Sequence, residues 1–204
     1  MIKVGLTGGI ASGKSVVGEM FVKLGAHLIQ ADAIGHWLME PGRPVYQKVV
    51  AAFSTGILNS DGTINRAKLA EAAFGAASRV KELNAIVHPA VIAQENEWME
   101  EIGARDPKAI AIVEAALILE AGAADRLDYL VVVTCREEQR VDRRAGRLGI
   151  SFEVARAEVA RRMAAQMSDQ EKIKAADFVI DNSGPLDATE RQVREVYTGL
   201  RQNL

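Results

Sequence analysis

Lys3-Val-Gly-Leu-Thr7, then Gly8-Gly-Ile-Ala-Ser-Gly-Lys-Ser15, opens the chain, and Val16, Val17, Met20, Phe21 and Leu24 follow at helical spacing. Residues 2–7 are an apolar run suited to a buried parallel strand. Gly8, Gly13, Lys14 and Ser15 keep the spacing of glycine, four residues, glycine, lysine and serine that marks a phosphate-binding loop. The residue types have a physical reason. Gly8, Gly9 and Gly13 lack a Cβ, so the backbone can turn tightly and aim N–H groups at phosphate oxygens. A helix starting near Gly13 adds the positive end of its dipole at the same place. Lys14 can reach the β- and γ-phosphates, and the Ser15 hydroxyl can ligate Mg²⁺. Strand, loop and helix occur in the required order, so the chain is read as nucleotide-binding.

Outward from this stretch, the chain of 204 residues is long enough for one well-cored domain with a subdomain inserted. Hydrophobic residues at 49% and charged residues at 25% place it among ordinary globular proteins. A formal net charge of −2 gives no support for broad nucleic-acid binding. Cys135 is the only cysteine, which excludes an internal disulfide and suggests a reducing compartment. The loop begins too early to leave room for a signal peptide, and no apolar run approaches the length of a membrane span. A cytoplasmic protein, without nucleic-acid or membrane partners, is the expectation. The oligomeric state is open, with a monomer as the default.

Further strands are expected at His27–Gln30, Ala109–Val113, Tyr129–Thr134 and Phe178–Ile180, and residues 31–109 read as mainly helical. Alternating strands and helices predict an α/β fold with a doubly wound parallel sheet. The helical stretch between the second and third strands is too long for a simple crossover and reads as a substrate-covering insertion. Within it, Pro89 should break the helix running from Ala77 to Ile102. Trp37 and Trp98 read as packing residues. The three histidines and one cysteine have no zinc-ligand spacing.

In open parallel sheets ligands bind beyond the carboxyl ends of the strands. That rule nominates Asp32, Glu114, Arg136 and Asn182 beside the loop itself. Asp32 can orient or deprotonate a hydroxyl attacking the γ-phosphate; alternatively it only N-caps the helix carrying Ile34 and Leu38. Glu114 can hold Mg²⁺ through water, or it is a capping or salt-bridged carboxylate. Arginines stand at 136, 140, 143, 144 and 147. Arg140 and Arg144, four apart, share a helix face and repel each other unless an anion lies between them. This predicts a phosphate-closing lid, with a solvated charged helix as the plain alternative.

Nearly the whole chain resembles the dephospho-coenzyme A kinase family. The resemblance rests on motifs in order: Gly5 to Ser15, Ala31-Asp32, Pro41-Gly42, Asp61-Gly62 through Arg66 to Leu69, and His88-Pro89 with Val91. Leu117 through Glu120, Gln139-Arg140 with Arg144, Arg162 with Gln166, and Ala176-Asp177 through Asn182 complete it. The resemblance implies a three-layer phosphate-loop kinase core (about 1–31, 109–135 and 176–204), a helical CoA-binding subdomain (about 32–108) and a lid (about 136–166). It implies ATP and dephospho-CoA as substrates and Mg²⁺ as cofactor, with phosphate passed to the ribose 3′-hydroxyl.

The roles implied by the resemblance fall residue by residue. Asp32, Lys14 and Arg140 take the catalytic roles. Gly9, Ile10, Ala11, Ser12, Gly13, Lys14, Ser15, Val16, Arg144 and Asn182 meet ATP. Thr7, Asp32, Arg66, His88, Pro89, Ile118 and Arg162 meet the acceptor, and Ser15 and Glu114 serve Mg²⁺. The family commonly has aspartate where this chain has Gln30. It also ends its third strand Asp-x-Pro-Leu-Leu-Phe-Glu, where this chain reads Glu114-Ala-Ala-Leu-Ile-Leu-Glu120. A kinase for another hydroxyl acceptor and a nucleotide-binding regulatory module are the alternatives. No Asn-Lys-x-Asp guanine-reading motif is present to support the latter.

Overall fold

The computed structural model describes residues 1–74 and 76–204; Gly75, within the predicted helical stretch, lies outside the described residues. Five strands, β1 (Ile2–Thr7), β2 (His27–Gln30), β3 (Ile110–Glu114), β4 (Tyr129–Thr134) and β5 (Phe178–Asp181), form one sheet in the order β2-β3-β1-β4-β5. β1 pairs in parallel with β3 and β4, and β4 with β5. The third strand is shifted by one residue from expectation, so Glu114 is its last member rather than the first residue beyond it.

Period-2 alternation explains the core. Val4 and Leu6 of β1, Ile112 of β3, Val131 and Val133 of β4 and Ile180 of β5 turn to one side. There they meet Val17, Met20 and Phe21 of α1 (Lys14–Lys23) and Val193, Val196 and Leu200 of the last helix, Leu186–Gln202. Because β1 is flanked on both sides, all its residues but Lys3 are at most slightly exposed, as a central strand of a parallel sheet requires. The register sets Leu6 beside Glu114, which brings the carboxyl ends of β1 and β3 together.

The chain forms two compact units, Met1–Ile29 with Met99–Leu204, and Gln30–Trp98. The second unit contains α2 (Ala31–Leu38), α3 (Pro44–Phe53), α4 (Arg66–Phe74) and most of α5 (Ala77–Arg105). Val45, Val49 and Phe53, each four residues apart on α3, are buried against Ile57, Leu69 and Ala73. Burial of each of those three α3 side chains is worth about 1.5–3 kcal/mol. α5 runs unbroken through Pro89, against the break expected from sequence. Proline here removes one hydrogen bond, to the carbonyl of Ala85, an exposed residue that water can satisfy. Ile86, Val87 and Ala90 meanwhile pack on the unit's apolar cluster and hold the helix on course.

Three more helices complete the first unit: α6 (Glu137–Leu148), α7 (Phe152–Ala164) and α8 (Asp169–Ala175), before α9 (Leu186–Gln202). α6 ends at Gly149 in the left-handed region, and Ser151 caps α7, its Oγ accepting from Val154 N, so two glycine- and serine-built ends make the turn between them. Val141, Ala155 and Val159 form the small core of this helix pair, with Ile10 of the phosphate loop packed against it. No described helix is long and apolar enough to cross a membrane.

Candidate active site

The loop between β1 and α1 takes the conformation its glycines allow. Gly13 is left-handed at φ 97°, and a Cβ there would sit 2.1 Å from Asn182 Nδ2. Gly9 has an ordinary φ, but its Cβ would lie 1.9 Å from Arg140 Nη1. Ala11 holds a positive φ of 53° without being glycine, a strained conformation of the kind kept at functional loops. Lys14 Nζ donates to Gly8 O at 2.9 Å and Gly9 O at 3.2 Å, so its ammonium lies over the loop. Val16 is exposed on α1.

Ser15 Oγ donates to Glu114 Oε1 at 2.8 Å, across the neighbouring ends of β1 and β3. This hydroxyl and carboxylate are adjacent hard oxygens. No cluster of three or more His, Cys, Asp or Glu side chains suited to a metal occurs among the described residues. Such a sparse oxygen set fits Mg²⁺, which keeps waters and substrate phosphates in most of its positions.

Three side chains hold the loop from the α6 and β5 side. Arg140, only 1% exposed, donates to Ile10 O at 3.3 Å and Cys135 O at 3.5 Å and pairs with Asp169 of α8. Arg143 donates to Ala11 O at 3.2 Å, Ser12 O at 2.9 Å and Asn182 O at 2.9 Å. Asn182 Nδ2 donates to Ser12 O at 2.9 Å, while its Oδ1 accepts from Thr189 Oγ1 at 3.0 Å. Ser12 Oγ is itself buried with no protein partner.

Arg144 points elsewhere. It binds Glu158 of α7 through Nε at 3.1 Å and also through Nη2, and Arg162 reaches the same carboxylate at 3.2 Å. The repulsion expected between Arg140 and Arg144 is thus answered by two carboxylates, Asp169 and Glu158, on two different partners. The hydrogen bond from Arg144 is the chief reason the Glu158 carboxyl is held below its ordinary value.

Thr7, fully buried at the end of β1, donates through Oγ1 to Ala116 O at 3.3 Å. Ile118 is buried, its Cδ1 close to Gly5, so its side chain belongs to the core. Burial pushes the Cys135 thiol up, which leaves it a poor nucleophile.

In the second unit, Asp32 is exposed in the first turn of α2, two residues after β2 ends. It is not the N-cap; that position is Gln30, whose side chain makes no cap bond. Arg66 opens α4 and is exposed. Burial, then the charge of Arg66, lowers the His36 value, with Asp32 acting in the opposite sense. Burial also lowers His88; Pro89 beside it is exposed. Trp37 is 41% exposed rather than packed inside, and the Arg43 guanidinium stacks 3.3 Å from its ring centroid.

Arg143, Asp169, Lys172 and Thr189 are the site-region residues that the sequence did not single out. Arg140 and Arg143 are three apart and share a helix face as surely as Arg140 and Arg144 do. The spacing was legible for Arg143, whereas Asp169 sits inside an ordinary capping box from Ser168 to Glu171 and Lys172 directly follows it.

A parallel sheet that delivers a glycine-rich loop to the start of a helix, with arginines braced against that loop, defines the phosphate-loop kinase class. Comparison with known proteins narrows it. The sequence profile of the dephospho-CoA kinase family matches residues 2–188, and the chain belongs to that family. The dephospho-CoA kinase of Streptomyces avermitilis is 42% identical over 200 residues, covering 98% of this chain and 94% of that protein. A crystal structure from Thermus thermophilus superposes with TM-score 0.80 at 33% identity, covering 98% of this chain and 97% of that one. The dephospho-CoA kinase from Campylobacter jejuni gives 0.69 at 27% identity, with coverage of 98% and 97%. The chain is a kinase that acts on an intermediate of CoA assembly.

Proposed function

We propose that this chain transfers the γ-phosphate of ATP to the ribose 3′-hydroxyl of dephospho-CoA, with CoA and ADP as products, the last step of CoA assembly. The observation that carries this reading is the loop after β1, with Lys14 Nζ drawn over it and the Ser15–Glu114 oxygen pair at its end. The loop amides from Gly9 to Gly13, with Ser15 and Val16 at the start of α1, bind the phosphates. Lys14 moves from the Gly8 and Gly9 carbonyls onto the β- and γ-phosphate oxygens. Ser15 and Glu114 would hold Mg²⁺, which would supply charge neutralisation at the ATP phosphates.

Asp32 orients the attacking hydroxyl and receives its proton. Arg140 spreads the charge that develops on the transferring group, and Arg144 adds to it after leaving Glu158. Asn182 keeps the loop in place where the nucleotide base approaches. Thr7, Arg66, His88, Pro89, Ile118 and Arg162 form the acceptor side, with Ile118 acting through its main chain and packing. Most of the acceleration then comes from positioning and preorganised charge rather than from covalent chemistry.

A coupled ADP-release assay with Mg-ATP, comparing dephospho-CoA with AMP, adenosine and no acceptor, tests this. Stimulation by dephospho-CoA alone, with CoA as product, is the expected result. Stimulation by a different acceptor only, or by none, would overturn it.

A further inference from the structure

Lys172 of α8 has no solvent exposure at all. Its Nζ lies 3.0 Å from Glu120 Oε1 and donates to Ala116 O at 3.2 Å. Ala116 O also accepts from Thr7 Oγ1 at 3.3 Å, and Glu120 Oε1 from Met167 N at 2.9 Å. Both partners of Lys172 lie in the turn-rich segment that leaves β3, whose Ala115 N donates to Leu6 O at 3.1 Å. That segment is therefore held from β1, through Leu6 and Thr7, and from α8 together.

The pair is a modest source of stability, because desolvating the fully buried ammonium offsets much of its attraction to Glu120, whose side chain stays 22% exposed. What the ammonium adds is direction. It engages a main-chain carbonyl and a carboxylate four residues apart at once, and so fixes both ends of the segment. The location gives that rigidity a use. The segment departs from the carboxyl end of β3 directly after Glu114, whose carboxylate meets Ser15 of the phosphate loop. In a parallel sheet this edge is where ligands lie, and a second substrate must come up to the γ-phosphate here. One turn earlier on α8, Asp169 holds Arg140, so a single short helix engages both the loop-bracing arginine and the segment.

We propose that Lys172 is a positioning residue for the acceptor: it holds residues 115–120 in the place the acceptor needs, without touching ATP. This rests on the kinase reading given above. Three proteins test it: the parent, Lys172→Met, and Lys172→Met with Glu120→Gln, which removes both charges of the pair. Steady-state kinetics with each substrate, thermal unfolding and amide hydrogen exchange are read on all three. For Lys172→Met, the KM for dephospho-CoA should rise about tenfold or more while that for ATP stays within about twofold. The double variant should recover most of the lost melting temperature yet keep the raised acceptor KM. Should Lys172→Met fail to fold, the double variant carries the same comparison.

Recovery of acceptor KM together with stability would mean that Lys172 only neutralises Glu120, and would overturn the proposal. So would an equal rise in both KM values. The exchange measurement needs no acceptor. Faster exchange over residues 115–123 in the double variant, with residues 8–15 unchanged, is expected even if the parent does not turn over dephospho-CoA. In that event the acceptor assignment alone falls. Unchanged exchange over 115–123 would overturn the positioning role itself.

Discussion

Gly9→Ala isolates one contact of the site by steric means. Gly9 has no left-handed φ, so alanine meets no left-handed backbone penalty there, and the loss comes from the added methyl group. That Cβ would stand 1.9 Å from Arg140 Nη1, 3.0 Å from its Cζ and 3.1 Å from Asp169 Oδ1. Ordinary van der Waals contact then requires the guanidinium to withdraw by about 1.5 Å, which exceeds what a hydrogen bond tolerates. Arg140 is 1% exposed, so it has no water to turn to when it leaves Ile10 O, Cys135 O and Asp169. The two carbonyl bonds are long and weak. The charged bond to Asp169 is the main loss, at about 1.5–3 kcal/mol. With the carbonyls added and Asp169 partly screened by solvent, the variant should lose about 2–4 kcal/mol of stability.

For a chain of this length that is roughly a 5–15 °C fall in melting temperature, read by scanning calorimetry. The decisive control is the same substitution in an Arg140→Ala background. With no guanidinium to displace, Gly9→Ala should cost less than about 1 kcal/mol there. Equal costs in both backgrounds would refute the steric reasoning, whatever their size.

Asp32→Asn should leave the KM for ATP near the parent value while turnover with dephospho-CoA falls about a hundredfold or more; unchanged turnover removes Asp32 from the proton-handling role. Lys14→Ala should weaken nucleotide binding and turnover together, by about tenfold or more each, as followed by titration with ATP and by ADP release. Glu158 predicts an acid effect. Its folded value is lowered from 4.5, chiefly by Arg144, so its contribution is complete above about 4.5 and disappears as pH falls through the lower folded value. Glu158→Gln should therefore lower the melting temperature at pH 7 and leave it little changed at pH 2–3, and an equal loss at both pH values would contradict the assignment.

The sheet and its phosphate loop were legible because two independent signals agreed. Glycine spacing and the change from an apolar run to a helical repeat both fell on residues 2–24. Strand ends were read to within a residue because the buried strands are short apolar runs closed by polar residues such as Glu114 and Asp181. Pro89 was misread since local propensity sees the missing N–H but not the apolar cluster that carries α5 past it. Trp37 was misread because the sequence cannot show that Arg43 covers its ring on the outside. The arginines of α6 mark the limit. Their number and spacing were plain, but assigning Arg143 to the loop and Arg144 to Glu158 depends on where α7 lies, and that is tertiary information.

Every carbonyl from Gly8 to Ser12 accepts a hydrogen bond from a side chain: Lys14 for Gly8 and Gly9, Arg140 for Ile10, Arg143 for Ala11, and Arg143 with Asn182 for Ser12. A trans peptide carries its N–H opposite its carbonyl, so anchoring the oxygens on one side turns the next amides to the other. Ser12 N is spent within the loop, on Gly9 O at 3.3 Å. The loop's conformational entropy has thus been surrendered during folding, before any phosphate arrives. An anion meets dipoles that need not rotate toward it, and beyond the release of the Gly8 and Gly9 carbonyls by Lys14 its capture should change the mobility of residues 10–13 very little.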